Sequence, residues 1–206
     1  MIIKKITVGS YMTNCYLLGC KKTNQAIIID PGYDSKRIIK EITKLNLIPQ
    51  SIILTHAHGD HIGAVPDLVK RYNIPVYIHP HDQELLSDSM LNLTAILLSK
   101  GVLITSSRKL KDQDKIKAGT LEIEVIHTPG HTRGGISLKC QNVIFSGDTL
   151  FQGSIGRTDL PGGSHQQLLT SIKDRLLVFP DDTIIYPGHG PTTNLGQERE
   201  NNPFLT

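Results

Sequence analysis

Residues 55–64 read THAHGDHIGA and place His56, His58, Asp60 and His61 within six positions. Three imidazoles and a carboxylate at one spot cannot be satisfied cheaply unless a cation joins them. The stretch just before it, SIILT (51–55), is a short apolar β-run that ends on the cluster. From extended backbone the i, i+2 pair His56 and His58 can aim both rings the same way. The β-run and the glycine inside the motif argue against a DNA-binding helix.

Outward from this stretch, strands and helices come in mixed order. IIKKITV (2–8), CYLLG (15–19) and AIIID (26–30) read as strands, the third broken by Asp30-Pro31-Gly32. Asp34 or Ser35 can cap a helix that carries Ile38, Ile39, Ile42 and Leu45 at helical spacing. A helix over about 62–72 follows the histidines, then a strand at 75–79. Residues 82–104 are less legible and read as helical. Strands follow at 121–128, 136–140 and 142–147, then a helix at 165–178 and a strand at 183–187. Strands with helices after them in both halves predict a mixed α/β (α+β) fold, two sheets face to face with helices outside, as one domain over 1–206.

Further metal-competent side chains sit at other strand ends. His131 lies in TPGHT after 121–128, Asp148 in SGDT after 142–147, and His189 in PGHG after 183–187. Glycine beside each lets the backbone approach a bound group closely. If these ends share one edge, seven donors converge on two metal ions. Five imidazoles and two carboxylates suit zinc, iron or manganese better than calcium. His79, His81, His127 and His165 read instead as surface or hydrogen-bonded histidines.

Composition narrows the function. The 206 residues are enough for a core without staples, and 38% hydrophobic with 20% charged residues belongs to a globular chain. Net charge is +3 and the basic residues are scattered, so no nucleic-acid footprint is expected. Cys15, Cys20 and Cys140 show no CxxC spacing and read as reduced, buried thiols. Neither a secretory h-region nor an apolar run of ~20 residues is visible, so a cytoplasmic protein with no membrane partner is expected.

THAHGDHIG, TPGHT, SGDTLF and YPGHG together resemble the metallo-β-lactamase fold superfamily over nearly the whole chain, and its glyoxalase II-type branch most of all. The resemblance implies a four-layer αβ/βα sandwich with a dinuclear site at one edge. It also implies that His56, His58 and His131 hold a first metal, that Asp60, His61 and His189 hold a second, and that Asp148 bridges them. Many zinc β-lactamases carry cysteine where Asp148 stands, which sets β-lactam hydrolysis below other readings. The chain ends 17 residues beyond His189, so the helical C-terminal domain of standard glyoxalase II is expected to be missing.

The resemblance therefore implies a single-domain hydrolase acting on a small-molecule thioester, S-D-lactoylglutathione or a related acylthiol. A metal-bridging hydroxide oriented by Asp60 would attack, with Asp148 holding the bridge. Gly156-Arg157-Thr158-Asp159 in GSIGRTDLPGG (153–163) resembles instead the persulfide dioxygenases, single-iron relatives, which form the runner-up. Ribonuclease-type and catalytically silent members stand further back. Arg157 either meets a substrate carboxylate or pairs internally with Asp159. Residues 84–104, with Met90, Leu91 and Leu93, either flap over the opening or pack on the sheet. Tyr11, Met12 and Thr13 form another expected rim. The oligomeric state stays open.

Overall fold

The computed structural model describes residues 1–97 and 101–205. The first sheet runs in chain order: β1 (Ile2–Val8), β2 (Thr13–Gly19), β3 (Gln25–Ile29), β4 (Ile48–Ile53), β5 (Val76–Ile78) and β6 (Arg108–Lys109). Its first three strands pair antiparallel, and β3 to β6 run parallel. The second sheet holds β7 (Lys115–Ala118), β8 (Leu121–His127), β9 (Ile136–Cys140) and β10 (Val143–Gly147). Across the hairpin β11 (Leu150–Phe151) and β12 (Ser154–Ile155), the chain returns as β13 (Ile184–Pro187) and β14 (Thr193–Asn194). The order there is β14-β13-β10-β9-β8-β7, with β13 parallel to β10.

Strand alternation builds the layers. Side chains on a strand point alternately to opposite faces. Thus Tyr16, Leu18, Ile27, Ile29 and Ile53 of the first sheet meet Ile123, Val125, Leu138 and Phe145 of the second. Their neighbours Cys15, Leu17, Ile28 and Ile52 face the other way, onto helices α1 (Ser35–Lys44) and, past α2 (Gly59–Ile62), α3 (Val65–Tyr72) through Ile38, Ile42, Val65 and Leu68. Short helices α4 (Gln83–Ser87) and α5 (Thr94–Leu97) follow. On the outer face of the second sheet, Ile126, Ile144 and Ile185 pack on α6 (His165–Ser171) and α7 (Leu195–Asn201) through Leu168 and Leu195. Helix, sheet, sheet, helix is the four-layer αβ/βα sandwich. Strands buried on both faces read as continuous apolar runs, which is why they were visible in the sequence.

Several boundaries shift for local reasons. The strand expected at 51–55 starts at Ile48 and ends at Ile53, because the Thr55 N–H leaves the ladder and donates to Asp30 Oδ1 at 2.7 Å. The helix expected at 62–72 is two pieces. Ala64 N–H bonds the Pro31 carbonyl, and Pro66 opens α3, where a missing N–H does no harm. The helix at 165–178 stops at Ser171 and continues as a π-turn, Ile172–Leu176. Asp34 sits at the N-cap position of α1 without capping it through its side chain; its Oδ2 accepts from Gly9 N–H, and Ser35 Oγ donates to Asp67. No described helix is long and apolar enough to cross a membrane.

Candidate metal centre

Every predicted donor lies at one edge of the sandwich, where strand ends from both sheets meet. His56 and His58 follow β4, and Asp60 and His61 occupy the single turn of α2. His131, Asp148 and His189 follow β8, β10 and β13. The edge is stitched together by main chain. Asn14 N–H donates to the Gly188 carbonyl at 2.7 Å, Tyr16 OH to the Pro187 carbonyl at 2.7 Å, and Ile136 N–H to the Thr55 carbonyl at 2.9 Å. Gly188 is needed for proximity: a Cβ there would lie 2.1 Å from Asp148 Oδ1 and 2.8 Å from the His61 ring. Gly147 takes φ +50 with Thr55 against it, a conformation that other residues adopt at a penalty.

The candidate ligand atoms fall into neighbouring groups. Those of His56, His58 and His131 lie within 4.8 Å of one another, as do those of Asp60, His61 and His189. Asp148 stands between the groups. Its Oδ1 faces His61 Nε2 at 3.4 Å, and its Oδ2 faces His131 Nε2 at 3.6 Å and His189 Nε2 at 3.5 Å.

Two buried atoms test whether cations fit. Among the described residues, His56 Nε2 and Asp148 Oδ1 make no hydrogen bond, although an unpaired buried polar atom is destabilising by about 1–3 kcal/mol. His58 Nδ1 and His131 Nε2 lie only 2.9 Å apart, and His61 Nε2 and His189 Nε2 3.3 Å. Ring nitrogens and carboxylate oxygens grouped at these separations suit divalent ions, which the two groups could hold.

Outer nitrogens are held by groups the sequence reading had not assigned. His131 Nδ1 donates to the Arg157 carbonyl at 2.7 Å, His189 Nδ1 to the Tyr11 carbonyl at 3.0 Å, and His61 Nδ1 to Asp30 Oδ2 at 3.1 Å. Each contact engages Nδ1 and turns Nε2 toward the centre. Asp30 also takes the Thr55 N–H and hydroxyl, so one carboxylate orders both the loop and the ring. The only sequence signal for it was the Asp-Pro-Gly that ends β3.

Electrostatics differ between the subsites. Burial, then the neighbouring His131 ring, pushes His58 down to about 3, and burial with His61 drives His56 well down. Burial also opposes charge on His61, but Asp60, Asp148 and Asp30 overcome it and push that ring up to about 10. Against burial, His61 and His189 hold the Asp60 carboxyl far below its ordinary range, and Thr13 Oγ1 donates to it at 3.0 Å.

Over the donors opens a cavity of about 370 Å³, walled by Leu93, Phe151, Ile155 and Leu160, with Tyr11 and Arg157 also lining it. Tyr11 thus lies on the expected rim, and Leu93 lines the cavity wall. Met90 is exposed, Leu91 lines a neighbouring groove, and 98–100 of the expected flap lie outside the described residues. Arg157 borders the cavity while pairing with both oxygens of Asp159 at 2.8 and 2.7 Å, so both readings of that residue have a footing. Cys15, Cys20 and Cys140 are buried and free.

A family model, the metallo-beta-lactamase superfamily, matches residues 8–189. The chain belongs to that superfamily. Membership supports a metal-dependent hydrolase. Its sequence is 36% identical over 216 residues to the hydroxyacylglutathione hydrolase GloC of Haemophilus influenzae, covering 100% of this chain and 98% of that one. Among solved structures, the BLEG-1 B3 metallo-beta-lactamase superposes with TM-score 0.94 at 42% identity, covering 100% of both chains. TTHA1623 in a di-iron-bound form superposes with TM-score 0.88 at 38% identity, covering 98% of this chain and 100% of the other.

Proposed function

We propose that this superfamily member hydrolyses a small-molecule thioester, S-D-lactoylglutathione or a related acylthiol, with residues 1–206 acting as one unit. The observation that carries the reading is the make-up of the cavity. Among the described residues, every titratable one lining it apart from Tyr11 and Arg157 belongs to the donor set. A thiolate, whose parent thiol has a pKa of about 8.5, departs without a proton, whereas an amine leaving group needs an acid. Among the described residues the cavity lining holds no spare carboxylic acid, which suits the thiolate. Likeness to GloC along both chains points the same way.

When bound, two cations supply an acidified water and positive charge against the oxygen that becomes anionic. His56, His58 and His131 would hold one, Asp60, His61 and His189 the other, and Asp148 both. Asp60, kept as a carboxylate by its histidine neighbours and by Thr13, accepts a hydrogen of the attacking water and sets its direction. Leu93, Phe151, Ile155 and Leu160 seat the acyl group and exclude bulk water, and Arg157 meets a carboxylate of the thiol carrier by exchanging Asp159 for it.

A β-lactam is the second reading, favoured by the likeness to BLEG-1. A side-by-side assay of metal-loaded protein against S-D-lactoylglutathione, a cephalosporin, glutathione persulfide and a phosphodiester decides between them. The thioester is expected to have the highest kcat/KM by at least about tenfold, some 1.4 kcal/mol in transition-state binding. Faster turnover of the cephalosporin, or oxygen uptake with the persulfide exceeding thioester cleavage, would overturn the proposal.

A further inference from the structure

Three histidines read from the sequence as bland come together away from the centre described above. Their spacing repeats its motif: IHPHD (78–82) carries His79 and His81 at i, i+2, as THAHGD carries His56 and His58. His79 follows β5 in extended conformation, His81 lies in the 3-10 turn Pro80–Asp82, and His127 closes β8 of the other sheet. One ligand atom from each lies within 4.8 Å of the others. The His79 and His127 rings stack at 4.0 Å and 11°, with His81 edge-on to His79 at 4.9 Å.

We propose that His79, His81 and His127 form a third metal site, for one borderline divalent cation such as Zn²⁺, Cu²⁺ or Ni²⁺. Three neutral imidazoles with no carboxylate among them suit these ions and not Ca²⁺ or Mg²⁺. The supports are in place. His127 Nε2 donates to the Arg133 carbonyl at 3.0 Å, which leaves Nδ1 of the neutral ring bare. Asp112, braced by Arg175 at 2.7 and 2.8 Å, accepts the His127 backbone N–H at 2.8 Å and brings negative charge close to the site. Among the described residues the His81 ring makes no hydrogen bond, and it is exposed, so the site opens to solvent, where water completes the coordination. His79, by contrast, is buried, and its Nδ1 accepts the His81 backbone N–H at 3.3 Å, which holds its ring beside those of His81 and His127.

The test counts ions. Protein loaded to two Zn²⁺ per chain is dialysed against micromolar free Zn²⁺, and bound zinc is measured by mass spectrometry. Wild type is expected to take up a third equivalent, while His81→Ala and His127→Gln stay at two with unchanged circular dichroism. His81 is exposed, so its alanine variant keeps the fold even if His127→Gln does not. Saturation of wild type at two ions, or uptake of the third by His81→Ala at wild-type affinity, would overturn the proposal. Neither result bears on the thioester reading, because the first two ions are counted separately.

Discussion

At the scale of single residues, Asp148 stands apart, because each of its oxygens faces a different set of histidines. Asp148→Ala is expected to retain the fold, bind fewer than two ions per chain, and lose at least about 10³-fold in kcat/KM, roughly 4 kcal/mol. Metal analysis alongside thioester kinetics checks both halves. Asp30 acts through His61, and Asp30→Asn should weaken the ion at that subsite by about 10–100-fold while leaving β3 in place. The pKa pattern also orders metal release. His61, pushed up to about 10, carries a proton at neutral pH that a cation must displace, so affinity there rises with pH. His58, pushed down to about 3, has no proton to lose above that pH. Acidification from pH 8 to 5 should therefore empty the Asp60–His61–His189 subsite first, followed by metal-resolved titration. The donors themselves were legible because their residue types stand out beside glycine at strand ends. Their supports were not. The Arg157 and Tyr11 carbonyls are main-chain atoms from distant loops, and any residue type would present them.

Elements follow the same division. β2, β3 and β10 were readable because both faces are buried and the residues run apolar. β6, at two exposed residues, and β7, KIKA, carry too little pattern to register. Helix α7, LGQEREN, is polar, yet it is anchored by the buried Glu198, which accepts from Thr193 Oγ1 at 2.6 Å and Gly153 N–H at 2.8 Å. No hydrophobic period announces such an anchor. Phe145 sits at the centre of the inter-sheet layer, edge-on to Tyr16 at 5.1 Å and stacked on Tyr186 at 5.3 Å. Phe145→Ala should lower stability by about 3–5 kcal/mol, seen as a fall of about 10 °C in Tm. Gly188→Ala should abolish turnover and lower Tm by less than Phe145→Ala does, since its methyl would collide with Asp148 and His61 at a cost of about 1–3 kcal/mol.

For the whole molecule, the important fact is that the donors come from both sheets: His56, His58, Asp60 and His61 from the first, His131, Asp148 and His189 from the second. Bound ions would then clamp the two halves of the sandwich together. An ion at 100 times its Kd adds about 2.7 kcal/mol to stability, so two add about twice that. Chelation is expected to lower Tm by about 10–20 °C, and scanning calorimetry with and without a chelator measures it.

The grip of the Arg157 carbonyl on His131 has a further meaning for how this protein could diversify. What steadies the ring belongs to the peptide group, and what faces the cavity belongs to the guanidinium, so one position serves two masters independently. Exchanging its side chain can retune which molecules enter while the ring beneath keeps its bearing.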